Sequence, residues 1–161
     1  MWRPSEGNWY VLTDNSARAW GEPGDVPVPG DYDHDFVTDL AAWRPSTGDW
    51  FVINSSTGAS SRIEWGVAQD IPVPADYDGD GFTDRAVWRP SEGNWYIRTG
   101  ATSVTQWGIF ADVPAPADYD GDGRTDLAVW RPNEGNWYIV SSSTGATSVT
   151  QFGVAGDTPV P

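Results

Sequence analysis

The chain has 161 residues, no cysteine, one histidine (His34) and a formal charge of −14, and all nine of its basic residues are arginine. This excludes disulfides, thiol chemistry, cysteine-based zinc sites and zinc sites built from several histidines, and it leaves no basic patch for nucleic acid. No apolar run reaches membrane-spanning length, so no membrane insertion is expected, while 11 Trp, 18 Gly and 13 Pro indicate short aromatic strands joined by tight turns.

The opening, Met1-Trp2-Arg3-Pro4, does not read as a secretory leader, which is the pattern expected of a chain whose leader has been removed or of an excised fragment. It begins a nine-residue segment, 2–10, that returns at 43–51, 88–96 and 130–138, with spacings of 41, 45 and 42 residues. Trp20-Gly21 is the first of four aromatic-glycine pairs, followed by Trp65-Gly66, Trp107-Gly108 and Phe152-Gly153. A proline-alternating run occupies 26–29 and recurs at 71–74, 113–116 and 158–161. The chain 1–161 therefore reads as one linker-free repeat domain, with units near 1–24, 25–69, 70–111 and 112–156 and a closing strand at 157–161.

Directly after the first three proline runs comes an acidic loop. Residues 31–39 hold Asp31, Asp33, Asp35 and Asp39; 76–84 hold Asp76, Asp78, Asp80 and Asp84; 118–126 hold Asp118, Asp120, Asp122 and Asp126. Four carboxylates this close repel one another unless a hard cation neutralises them, and alternating oxygen ligands suit Ca²⁺. The ligand set closes with Asp at position 9 and leads into a strand. An EF-hand would need Glu at position 12 and a helix, but Val87 and Val129 stand there. The expected ligands are the four side chains plus the carbonyl of position 7, which is Phe82, Arg124 or Val37. In the first loop His34 and Phe36 replace the glycines of the other two, so a weaker third site is expected there. Twelve of the 23 acidic residues lie in these loops, and three divalent ions would lower the formal charge from −14 to −8.

Within the last unit the period is two: a strand at 126–130, a turn at 132–135, a strand at 136–140, a polar turn at 141–146 and a strand at 147–152. The proline run serves as a fourth strand only where its missing N–H groups are not needed. Three or four short antiparallel strands per unit is the size of a propeller blade. The fold expected is all-β: a β-propeller-type array of four blade repeats of about 42 residues with a circularly permuted start. The ring is expected to close by pairing of the N- and C-terminal strands, within one chain or between two, the latter giving an eight-bladed homodimer.

The repeated Trp2, Trp43, Trp88 and Trp130 read as core residues packed in layers. Trp9, Trp50, Trp95 and Trp137, beside the glycine turns, are core candidates too, but their indole faces could also stack on a sugar. Arg3, Arg44, Arg89 and Arg131 could bind an anionic ligand, but read rather as stacking on a tryptophan or pairing with a nearby carboxylate.

On the aromatic-glycine pairs, the Asp loops and the Trp-Arg-Pro segments, the chain resembles the FG-GAP/VCBS repeats of integrin α-subunit heads and of secreted bacterial proteins. Trp-Arg-Pro stands where that family has Gly-Ala-Pro. The resemblance implies a β-propeller and extracellular adhesion or ligand binding. The function expected is a non-catalytic, calcium-stabilised binding or adhesion module, secreted or at the cell surface, with a protein or glycan ligand. The alternatives are a lectin with aromatic inter-blade pockets, and an excised or engineered propeller scaffold without its own activity.

Overall fold

The computed structural model describes residues 1–11 and 16–160. They form four antiparallel sheets and, among the described residues, no helix. The first sheet has three strands, β1 (Trp2–Arg3), β2 (Asn8–Val11) and β3 (Ser16–Ala19). The second orders β4 (Val26–Pro27), β5 (Leu40–Arg44), β6 (Asp49–Ile53) and β7 (Ser60–Glu64). The third repeats this with β8 (Ile71–Pro72), β9 (Arg85–Arg89), β10 (Asn94–Thr99) and β11 (Ala101–Gln106). The fourth has β12 (Val113–Pro114), β13 (Leu127–Arg131), β14 (Asn136–Val140) and β15 (Thr147–Gln151). These are meandering sheets of blade size. The chain forms two compact units, Met1–Pro72 and Val73–Pro161.

Period-two alternation explains how a proline run enters a sheet. Val26 faces Trp43, and the next valine, Val28, donates its N–H to Ala41 O at 2.8 Å. Val73 and Ala115 do the same to Ala86 O and Ala128 O, both at 2.9 Å. The prolines take the intervening positions, whose N–H would point away from the neighbouring strand. An isolated bridge then pairs Gly30 with Asp39, Ala75 with Asp84 and Ala117 with Asp126, so each Asp loop is pinned shut at its base. In the fourth sheet the turn at 132–135 and the strand 136–140 fall where the sequence places them. Asp157 to Val160 pair with no strand among the described residues, and Pro161, the end of the expected closing strand, lies outside them.

The hairpin turns explain two of the repeated landmarks together. Gly135 has φ 69°, and a Cβ there would sit 2.5 Å from the carbonyl oxygen of Gly153. Only glycine permits both the left-handed turn and that approach. The aromatic-glycine pair is thus the surface against which the Trp-Arg-Pro turn closes. Facing tryptophans fill each hairpin: Trp43 opposes Trp50, Trp88 opposes Trp95 and Trp130 opposes Trp137. Trp43, Trp50, Trp88, Trp95 and Trp130 are fully buried. In the second unit Trp88 and Trp95 pack with Val73, Ala86, Ile97 and Val129. Each indole removes roughly 200 Å² from water, worth about 5 kcal/mol at ~25 cal/mol per Å².

The repeated arginines are structural. Arg44 lies 4.4 Å from the Phe51 ring centroid and makes two hydrogen bonds to the buried Asp25, at 2.9 and 3.0 Å. Arg131 lies 4.1 Å from the Tyr138 ring and pairs in the same way with Asp112, at 2.8 and 3.0 Å. Arg3 and Arg89 stack on Tyr10 and Tyr96. Asp25 and Asp112 stand at matching places, four residues after Gly21 and Gly108, a recurrence visible in the sequence but overshadowed by the denser loops.

Candidate metal centre

Each acidic loop is a cage of backbone N–H groups around its first aspartate. In 76–84 Gly79 and Gly81 donate to the two oxygens of Asp76 at 2.6 and 2.7 Å. In 118–126 Gly121 and Gly123 donate to Asp118 at 2.6 and 2.9 Å. The N–H groups can converge because the alternate residues adopt left-handed backbone, with φ of 81° and 87° in one loop and 82° and 85° in the other. The ninth-position carboxylate accepts the N–H of the loop's tyrosine: Tyr32 to Asp39 at 2.8 Å, Tyr77 to Asp84 at 2.9 Å and Tyr119 to Asp126 at 2.9 Å. The same tyrosines donate their hydroxyls to Val28 O, Val73 O and Ala115 O, tying each loop to its proline run.

The loop where a weaker site is expected closes in the same way. His34 and Phe36 take φ of 67° and 64°, and their N–H groups reach Asp31 at 2.8 Å each. The hydrogen bonds offset the strain of two non-glycine residues in a left-handed turn. Phe36 therefore does not prevent the turn.

The structure gathers Asp31, Asp33 and Asp39 in the first loop, Asp76, Asp78 and Asp84 in the second, and Asp118, Asp120 and Asp122 in the third, with ligating oxygens within 4.8 Å of one another. Asp35, Asp80 and Asp126 stand outside these triads. Asp35 accepts the Val37 N–H and the Ser55 hydroxyl, Asp80 the Phe82 N–H, and Asp126 the N–H groups of Tyr119 and Ser142. Of the position-7 carbonyls, that of Val37 accepts the Ser55 hydroxyl at 3.3 Å. The donor sets fit a hard divalent cation: all the atoms offered are carboxylate oxygens. In the first loop Asp33 Oδ1 is buried with no hydrogen-bond partner, an orphaned acceptor that a cation would satisfy.

A serine turn caps two of the loops. Ser55 N–H donates to Asp39 at 2.7 Å, and Ser56 Oγ to Asp33. Ser142 N–H donates to Asp126 at 2.7 Å, while Ser141 and Ser143 hydroxyls reach Asp120. Asp39 and Asp126 are fully buried beneath these turns. The third sheet instead turns tightly between Thr99 and Ala101, and no serine reaches Asp84 among the described residues. Partial burial, with Asp78, Asp80 and Asp76 adding repulsion, pushes the Asp84 carboxyl up to about 6. Asp120 is held below the ordinary carboxylate range by the hydroxyls of Ser141 and Ser143. The serine turns and loop tyrosines escape a motif reading because their partners lie 4 to 23 residues away.

Three of the four tryptophans considered for a ligand face are inside. Trp50 and Trp95 are fully buried and donate their indole N–H groups to Trp65 O and Trp107 O at 2.8 Å, and Trp9 is 7% exposed. No indole face remains there for a sugar, because cross-strand pairing turns these residues onto their partner tryptophans. Trp137 is half-buried and lines a cavity of about 340 Å³ with Trp130, Phe152 and Pro159.

Pinned carboxylate loops between the first and second strands of each four-stranded sheet define the β-repeat of this chain. The particular repeat follows from comparison with known families: residues 76–129 match the FG-GAP-like repeat and residues 110–150 the FG-GAP repeat, so the segment 76–150 carries FG-GAP-type repeats. No curated protein and no solved structure matches it.

Proposed function

We propose that the protein is a non-catalytic, calcium-stabilised binding or adhesion module that works outside the cell. The observation that carries this reading is recurrence. The same carboxylate cage, with the same tyrosine anchor, stands at the start of β5, β9 and β13. Catalysis calls for one special site, whereas a repeated cage serves each sheet alike. Asp31, Asp33 and Asp39, then Asp76, Asp78 and Asp84, then Asp118, Asp120 and Asp122 would hold the ions. Bound calcium supplies charge neutralisation, and the chain's own tyrosines and serines orient the carboxylates. At ~1 mM Ca²⁺ and a Kd of ~0.1 mM each site adds about 1.4 kcal/mol. The reading is tested by thermal melting in calcium and in EDTA. An equal melting temperature after confirmed metal removal would reject it.

Among the described residues the first sheet has no proline-run strand beside β1, whereas β5 and β13 each pair with one. We propose that this edge takes a proline run of the 157–160 type, from the same chain or from a second copy. Light scattering separates the two outcomes: a mass of 17.5 kDa supports closure within one chain, and twice that supports a homodimer. A glycan or protein ligand, if bound at the Trp137 cavity, would be lost on Trp137→Ala while the fold survived.

A further inference from the structure

Among the described residues the loop at 76–84 has no serine cap, but it is held from elsewhere. Arg124, in the next acidic loop, donates its Nε–H to Asp78 O at 3.0 Å. Its neighbour Thr125 donates its backbone N–H to Asp76 O at 2.7 Å. The aliphatic stem of Arg124 lies over Gly79, where a Cβ would come within 2.9 Å of Arg124 Cγ. Both loops belong to the second compact unit.

We propose that Arg124 is a positioning residue for the neighbouring cation site. It fixes the carbonyl of Asp78, and with it the peptide leading into Gly79. The Gly79 N–H in turn holds Asp76 Oδ1. One clustered ligand of one loop, Asp76, is thus held through the Gly79 N–H, and the backbone of a second, Asp78, is fixed directly, by a side chain of the other. Arg124 is anchored for this task, since its own N–H donates to Asp122 Oδ1 at 2.8 Å. Two loops are capped by serines of their own sheet, and the third is braced by the next sheet's arginine. This inference rests on the calcium reading above.

Charge and position predict opposite effects, which makes the role testable. A guanidinium beside clustered carboxylates repels a cation, so by charge alone its removal strengthens calcium binding. As a brace, its removal weakens binding, as outer-shell partners of metal ligands do. The experiment titrates CaCl₂ into the full ¹⁵N-labelled chain and follows two amides separately: Gly81, which donates to Asp76, and Gly123, which donates to Asp118. In Arg124→Met the Gly81 midpoint is expected to rise about ten-fold, at the low end of outer-shell effects. The Gly123 midpoint is expected to stay within two-fold or fall, and the dispersion of the same spectra verifies the fold. An unchanged or lower Gly81 midpoint, or an equal rise at both glycines, would overturn the inference. If neither amide of the unsubstituted chain responds to calcium, the calcium reading itself fails and takes this one with it.

Discussion

Phe36 offers the sharpest test of the loop geometry. Its φ of 64° is a left-handed conformation, and its side chain is 83% exposed. A non-glycine residue in that region costs about 1–2 kcal/mol. Glycine removes that strain but adds about 0.5–1 kcal/mol of unfolded-state entropy. Little burial is lost, so Phe36→Gly should stabilise the chain by about 0.5–1 kcal/mol, or about 1–4 °C in melting temperature at this size. The reverse substitution is available in the next loop. Gly81 has φ 87°, and a Cβ there would meet no heavy atom within 4 Å. Gly81→Ala should therefore cost about 1 kcal/mol from the backbone alone. Thermal and urea denaturation of both variants at fixed calcium would measure these values. A neutral or destabilising Phe36→Gly together with a harmless Gly81→Ala would refute the shared left-handed turn.

Asp84 gives a pH prediction. Its folded value of about 6 lies above the ordinary ~3.9, so the native state holds the extra proton. The cost of its ionised form is fully present above pH 6 and is relieved as pH falls through 6 toward 4. In EDTA, stability should rise between pH 7 and pH 5 by about 1 kcal/mol, a figure reduced for solvent screening. Asp84→Asn should abolish that rise, and urea midpoints showing it intact would contradict the assignment; saturating calcium, which opposes protonation, should reverse the trend. Asp112→Asn should cost about 3 kcal/mol in urea unfolding, because the Arg131 guanidinium loses its buried paired charge. A cost under 1 kcal/mol would show the pair to be dispensable.

The parts of the fold that were legible in the sequence are those governed by local rules. The turn at 132–135 and the strand 136–140 follow from glycine placement and period-two alternation, and the structure has both. The proline runs enter their sheets because alternation keeps each ring off the bonding side. The parts that were not legible depend on distant partners. Arg131 stacks on Tyr138 and not on a tryptophan, because the tryptophans of each hairpin already face one another. The same pairing buries Trp50 and Trp95 and removes them as ligand faces. Phe36 resists a left-handed turn on propensity, yet three N–H groups converging on Asp31 hold it there. Ser55, Ser142 and Arg124 act across 16 to 46 residues, beyond any motif.

The central claim is that the recurring aspartate cages are calcium sites that stabilise the sheets whose first two strands they join. Differential scanning calorimetry of the metal-stripped chain, alone and with 1 mM CaCl₂, tests it most directly. At a Kd of ~0.1 mM three sites should add about 4 kcal/mol, a rise of roughly 8–16 °C in melting temperature, with MgCl₂ substituting poorly because it demands a smaller octahedral shell. Superimposable melting curves with and without calcium would contradict the account.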